Sequence, residues 1–440
     1  MYQRAYGIIE TQAPLHVGAS AGEETGNLNL IFRDQFIHTG IIPGSSLRGR
    51  FRADMRQENP DKVDHWYGQQ AVPNEPNSTS EAIVKFEYAS IVWLPVYCPN
   101  QPIVYVSCPA LLKRYQKITG KGEGEIKPYT YYGESSGDKL FFNLGFLPLE
   151  SKDESLGHYV PEEIFQTNQS LFFVVDDQDM GMIHDMALYR QSRVALSDKE
   201  KKATTGAFFD VEALPEETVM IFPLAMRKAI REEKTWEWED FLMDGNFALD
   251  EEESKELYFG GLESIGFGRT TVSLHKQSSE SSKVKKKGQP LEEKESKKSQ
   301  KQKPSKWKPY ELDHRAQMLV LNHRDQKDVL NESHKMRITV AYGLERFWGE
   351  HLRLKKENRS QAKSAYWENV WKELASILQQ GNIQLPQESI DHNDSTQIKE
   401  EVQKIWDLNL EQTRIALMIL TQFCDSLVWW TQRYKTKEQN

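Results

Sequence analysis

Ile42-Pro43-Gly44-Ser45-Ser46-Leu47-Arg48-Gly49-Arg50-Phe51-Arg52 reads as a turn running into a helix. Pro-Gly makes the turn, Ser45 and Ser46 are residue types that cap helices, and Arg48, Arg50 and Arg52 follow in the first turns. A helix N-terminus leaves backbone N–H groups without partners, and arginines beside it favour a phosphate there. An ordinary capped helix with a solvated arginine face is the alternative, and composition does not choose between the two. A second glycine-containing loop, Gly260-Gly261-Leu262-Glu263-Ser264-Ile265-Gly266-Phe267-Gly268-Arg269, lies between the extended segments Leu257-Tyr258-Phe259 and Thr270-Thr271-Val272-Ser273-Leu274. Its glycines let the backbone approach a ligand closely, and successive N–H groups can cradle an anion. No Gly-Lys-Ser/Thr ends it, and a strand rather than a helix follows, which excludes a P-loop and a dinucleotide fingerprint. Tight turns are the commoner reason for such glycines.

Outward from these loops, the chain has 440 residues, 38% hydrophobic and 11% aromatic, enough for two or three cored domains. No apolar run is long enough to span a bilayer; the nearest, Ile415 to Trp430, is broken by Thr421, Gln422 and Asp425. Met1-Tyr2-Gln3-Arg4-Ala5-Tyr6 lacks the charged-then-apolar pattern of a signal peptide. Cys98, Cys108 and Cys424 form no Cys-x-x-Cys, and the 11 histidines show no zinc-like spacing, so no metal site is expected from spacing. A reducing cytoplasm is the expected compartment. The net charge of −9 argues against a uniformly basic nucleic-acid binder, yet residues 276–308 hold 12 Lys against 4 Glu. That segment contributes +8 and leaves −17 elsewhere, and a negative mean still permits a local basic groove.

The same segment divides the chain. It offers almost nothing to bury and is expected to be a tether, with a phosphate-attracting tail as the sharper alternative. Residues 1–275 hold most of the glycine and proline and short β-branched or aromatic runs such as Leu171-Phe172-Phe173-Val174-Val175, which suits an α+β domain. Residues 309–440 read as all-α. Ala416, Ile419, Leu420, Phe423, Leu427, Trp430 and Tyr434 recur at three or four, and Tyr366 to Leu378 gives a second amphipathic stretch stopped by Gly381.

Several blocks carry a family resemblance. Leu15-His16-Val17-Gly18-Ala19-Ser20, Arg33-Asp34 and the Ile42 to Gly49 turn resemble the N-terminal signature of RAMP proteins of CRISPR effector complexes, and Gly260 to Arg269 resembles the family's glycine-rich loop. Phe86-Glu87-Tyr88-Ala89 with Trp93 to Tyr97, Tyr105 to Arg114, Ala187 to Leu196, Thr204 to Phe209 and Glu212 to Pro215 resemble the backbone subunit of type III-B (Cmr-type) complexes. The resemblance implies a ferredoxin-like RNA-recognition palm with insertions and a β-hairpin thumb at about residues 180–206. It also implies copies stacked head to tail on a CRISPR RNA, other type III subunits as partners, and thumbs that kink the guide–target RNA duplex. Ser45, Ser46, Arg48 and Arg50 then fall at the guide-backbone site, with Gly266, Gly268 and Arg269 near it. Met182, Met186 and Leu188 become candidates for wedging between bases, or else hairpin core.

One position departs from the family. Its slicing members carry an aspartate five residues before the arginine matched by Arg33, and here that position is Leu28, flanked by Asn27 and Asn29. A Mg²⁺-dependent cut would need a carboxylate there. The expectation is an RNA-binding subunit that needs no cofactor and does not slice; a remodelled loop in which Glu23, Glu24 or Asp34 supplies the carboxylate is the enzymatic alternative. A metal-independent processing ribonuclease using His16 or His38 is a third possibility. Residues 409–434 resemble the last helix of the all-α small subunit of the same complexes, with Arg315-Ala316 and Gly343-Leu344 matching more loosely. Arg353, Lys355 and Lys356 are candidates for target-strand phosphates, although a solvated helix face explains them as well.

Overall fold

The computed structural model describes residues 2–18, 28–69, 78–161, 170–196, 203–227, 237–247, 254–277, 305–357, 360–387 and 394–435. The chain divides into two compact units. Met1–Val96, Ile103–Glu134 and Glu150–Ser305 form the first; Tyr97–Pro102, Ser135–Leu149 and Lys306–Asn440 form the second. Most of the expected tether lies outside the described residues.

The first unit is built on β1 (Tyr2–Thr11), α1 (Gly44–Glu58), β2 (Ala89–Cys98), α2 (Pro109–Thr119), α3 (Asp177–Ala187), β3 (Tyr189–Leu196), β4 (Ala203–Ala213), β5 (Val219–Arg227), α4 (Trp238–Asp244) and β6 (Arg269–Lys276). Four of these strands lie in the order β6-β1-β5-β2, every neighbour antiparallel. With α1 joining β1 to β2 and α4 joining β5 to β6, this is the β-α-β-β-α-β ferredoxin-like arrangement. The stretch between β2 and β5 is one long insertion, which carries α2, α3 and the β3–β4 hairpin.

Side-chain alternation gives the sheet two different faces. On one, Leu47, Phe51 and Met55 step by four along α1 and are buried. Phe51 meets Phe86, Phe222, Phe247 and Phe259 at ring-centroid distances of 5.1, 5.8, 5.6 and 6.2 Å. Gly7 makes room for Phe222, since a Cβ there would lie 2.2 Å from the ring. Pro43 precedes α1, and Asn59-Pro60 ends it, proline being unable to continue the hydrogen-bond ladder. The other face presents Tyr6, Ile8, Trp93, Val219 and Ile221, which form a core with Leu112 and Tyr115 of α2. Cys98 and Cys108 are buried free thiols.

The second unit contains α5 (Leu312–His323), α6 (Glu332–Thr339), α7 (Leu344–Lys355), α8 (Gln361–Gln380), α9 (Ser395–Trp406) and α10 (Leu410–Tyr434). Asn409 and Gln412 form a capping box at the start of α10. The stripe read from the sequence is its buried face: Ala416, Ile419, Leu420, Phe423 and Leu427 are in the core, with Trp430 and Tyr434 packed against it. Gly381 caps α8 as expected. This unit draws on more of the chain than residues 309–440. A hairpin of Lys139–Phe141 and Gly145–Pro148 pairs with Lys308–Pro309, and Phe141 and Phe146 enter the helical core. Short apolar strands inside an insertion carry no mark of which core they join. No helix among the described residues is long and apolar enough to cross a membrane.

Candidate nucleic-acid interface

The first turn of α1 is open. Pro43 occupies the N-cap position with no side-chain cap; its carbonyl accepts from the N–H groups of Ser46 and Leu47 at 2.9 and 3.1 Å. The N–H groups of Gly44 and Ser45 have no hydrogen bond among the described residues, and Ser45 is exposed. Gly44 is required by close approach, because a Cβ there would sit 2.9 Å from the Phe86 carbonyl oxygen. The arginines differ in their freedom. Arg48 donates to the Tyr67 carbonyl at 2.6 Å, and Arg52 pairs with Asp64 at 3.3 Å, so that flank of α1 is tied to the short helix Val63–Tyr67. Arg50 lies on the other flank, one turn beyond Ser46; it is half-buried, with its Nε buried and unpartnered, and its guanidinium makes no ion pair with another described residue. Of the sequence candidates, Ser45, Ser46 and Arg50 are the groups free to meet a ligand.

The glycine loop has a different character. Gly260 and Gly268 have φ of 82° and 84°, and a Cβ on them would lie 2.1 Å from the His16 carbonyl oxygen and 2.3 Å from that of Phe259. These are packing requirements. The Gly261 and Gly268 N–H groups donate to His16 and Pro14 carbonyls, and those of Gly266 and Phe267 bond within the loop. Gly266 and Gly268 therefore shape the loop and do not present a row of N–H groups for an anion. Arg269 is exposed, 3.2 Å from the Gln12 carbonyl and 3.4 Å from Glu256. The Phe51–Phe259 contact brings this loop to the side of α1.

At the base of the hairpin lies an ionic network that the sequence reading did not contain. Glu212 on β4, only 3% exposed, accepts from Arg33 at 3.0 Å and from Arg190 on β3 at 3.1 Å. Arg33 also reaches Asp185 at 2.5 Å. The buried His184 ring accepts the Gly40 N–H at 2.9 Å through Nε2, which leaves Nδ1 to donate to Asp185. That bond, against the cost of partial burial, and then the Arg33 guanidinium hold the Asp185 carboxyl at about 2. Burial pushes the His184 pKa down. Arg33 joins this network through contacts spanning 152 and 179 residues of chain, which no local pattern encodes.

The remaining sequence candidates are placed as follows. Glu23, Glu24 and Asn27 lie outside the described residues. Leu28 and Asn29 form a short strand paired in parallel with Asp210 and Val211 of β4. Asp34 accepts the Phe36 and Ile37 N–H groups, both at 2.8 Å, and so serves as a turn cap. His16 is buried, with Nδ1 2.7 Å from the Glu212 carbonyl, and His38 occupies a turn with φ of 62°. Met182 and Met186 are not on the hairpin: they lie on α3, whose start is fixed by Asp176 accepting from the Gln178 N–H. Leu188 is 7% exposed and belongs to the core, so it is not free to wedge between bases. Among the described residues, no group of three His, Cys, Asp or Glu could hold a metal. In the second unit Arg353 pairs with Glu350 and Glu357, both at 2.6 Å.

The model of the RAMP superfamily matches residues 8–271, more than half of the chain, and the chain belongs to that family. Among solved structures, a type III-B Cmr-beta complex in the apo state contains a chain 19% identical, with a TM-score of 0.46, covering 62% of this chain and 97% of that one. In the Cmr-beta complex bound to cognate target RNA, a chain is 20% identical with a TM-score of 0.47, covering 62% and 96%. Oligomeric Cmr4 from Pyrococcus furiosus is 16% identical with a TM-score of 0.44, covering 63% and 99%. No curated protein matches the sequence.

Proposed function

We infer that the chain is an RNA-binding backbone subunit of a type III CRISPR effector ribonucleoprotein. Membership of the RAMP superfamily and the ordered blocks shared with type III-B backbone subunits support the assignment. The observation that carries the RNA-binding part is the uncapped first turn of α1, with Ser45, Ser46 and Arg50 free beside it. At α1 the contact falls at a helix end. The sheet face on which a simple RNA-recognition fold stacks bases is buried here: Tyr6, Trp93 and Tyr105 are core residues beneath α2.

On this reading, copies stack head to tail along a CRISPR RNA, each hairpin kinks the guide–target duplex, and other subunits of the complex complete the assembly. The helical unit is a fused small subunit lying near the target strand, an assignment that rests on the resemblance of residues 409–434. The subunit does not cut target RNA. Leu28 stands at the expected aspartate position, Asn29 carries no charge, and Asp34 is engaged in its own turn.

The test uses the full-length chain and labelled guide RNA over a salt series. Arg50→Ala should weaken binding by a similar factor for unrelated sequences and lower the slope of log K against log salt by about 0.7, one single-strand phosphate contact. Unchanged affinity and slope would remove α1 from the interface. In a complex reconstituted with guide and target, Leu28→Asp should create or raise Mg²⁺-dependent cuts. Cutting by the unmodified chain, abolished by Glu23→Ala, Glu24→Ala or Asp34→Ala, would establish the enzymatic alternative.

A further inference from the structure

A trough of about 1010 Å³ lies between α2 and strands β1 and β5, and its charge is lopsided. Arg4, Lys113, Arg114 and Lys117 line it against a single lining carboxylate, Glu87. Asp177, just beyond the lining, is occupied by accepting the Ala110 N–H at 2.9 Å. In a chain of net charge −9, this is a local excess of positive charge.

The four cations are not equivalent. Arg114 is fixed in place: its Nε donates to Ser90 Oγ at 2.9 Å, one terminal nitrogen donates to the Tyr88 carbonyl at 3.1 Å, and the guanidinium sits 4.0 Å over the Tyr88 ring. It needs little ordering to meet an anion with its remaining N–H groups. Lys113 and Lys117 stand one turn apart on the same side of α2, and both are exposed, as is Arg4. None of these three has an ion pair with another described residue. At the rim, Tyr2 is 51% exposed and offers an aromatic face. The volume stands at the top of the ~300–1,000 Å³ range of small-molecule sites. Four cations lining a cavity of that volume, with an exposed aromatic ring among the lining residues, suit a polymer of phosphates and bases better than a single small anion.

The trough also adjoins the α1 site. Gly44 packs against the backbone of Phe86 and Glu87, and Glu87 lines the trough.

We propose that the trough is a second binding station for a single-stranded RNA backbone, in which Arg4, Lys113, Arg114 and Lys117 take phosphates and Tyr2 offers a base-stacking face. The proposal rests on the RNA-binding reading above and extends the path of the same strand beyond the first turn of α1.

The experiment measures binding of the full-length chain to unstructured oligouridylates of increasing length across a salt series. Lys113→Ala/Lys117→Ala, at exposed positions, leaves the fold intact. It should lower the salt slope by about 1.4, two single-strand contacts, and make affinity level off at a shorter oligonucleotide than in the unmodified chain. Tyr2→Ala should weaken binding without changing the slope. Arg50→Ala serves as the control for the α1 site. If Arg50→Ala weakens binding while the double variant changes neither slope nor length dependence, the trough proposal falls and the α1 site stands. If the unmodified chain does not bind the oligonucleotides at all, both readings fall. A poly-glutamate peptide is the competing probe; if it binds as tightly as RNA and is lost equally in the double variant, the trough is a site for acidic protein and the RNA assignment is overturned.

Discussion

Glu212 is buried and accepts hydrogen bonds from two partly exposed arginines, which come from chain segments far apart in sequence. Deleting the buried acceptor of charge-assisted hydrogen bonds costs about 1–3 kcal/mol, and the solvent exposure of both guanidiniums, with Asp185 still paired to Arg33, keeps the loss in that range. Glu212→Ala should lower stability by that order in urea unfolding; a loss under about 1 kcal/mol would mean the network does not hold the hairpin base. The same cluster makes stability depend on pH. The native pKa of His184 is lowered, so as pH falls through the ordinary histidine range the unfolded chain takes up the proton first, and stability is lost. His351, buried with Nδ1 donating to the Trp348 carbonyl, acts in the same direction in the helical unit. Asp185, at about 2, adds stability that is present above its free value near 4 and lost as pH falls from there towards 2. Urea midpoints should therefore fall between pH 7 and 5 and again below 4. His184→Gln should flatten part of the first step; an unchanged step would exclude His184 as its source.

At the scale of elements, the turn into α1 was legible because Pro, Gly and Ser signal it locally and the Leu47-Phe51-Met55 stripe follows at helical spacing. The glycine loop was legible as a turn but not as a site, since the carbonyls that take its N–H groups belong to Pro14 and His16, some 250 residues earlier. The wedge candidates were misplaced for a local reason: Asp176, Asp177 and Asp179 signal a helix start before the hairpin, and that signal put Met182 and Met186 on α3. The loop yields a paired prediction. Gly268→Ala imposes φ of 84° on an L-residue and brings a Cβ to 2.3 Å from the Phe259 carbonyl. It should cost more than about 1 kcal/mol. Gly261→Ala meets nothing within 4 Å and should be close to neutral. Equal effects of the two in thermal unfolding would contradict the packing role given to Gly268.

For the whole molecule, composition showed two textures, strand-rich and helical, because amphipathic stripes are local. It did not show that the hairpin Lys139–Phe141/Gly145–Pro148 belongs with the helices, since a few apolar residues in short strands fit either core. Three stretches of chain build the helical unit, and this bears on how it would behave if separated. Phe141 and Phe146 are nearly inaccessible within its core, and Gly145 admits the strand Lys308–Pro309, since a Cβ there would lie 2.4 Å from the Lys308 carbonyl oxygen. A fragment of residues 305–440 lacks both phenylalanines. Truncating one large aromatic side chain costs about 3–5 kcal/mol, and the fragment loses two. The fragment should therefore show much lower hydrogen-exchange protection along α10 than the full chain, and Phe146→Ala in the full chain should lower it part of the way. Separately produced chains 1–277 and 305–440 should associate, because the first carries the hairpin that completes the second. If the fragment alone protects α10 as well as the full chain does, and the two pieces do not associate, the hairpin is a peripheral attachment and the helical unit is self-sufficient from residue 305.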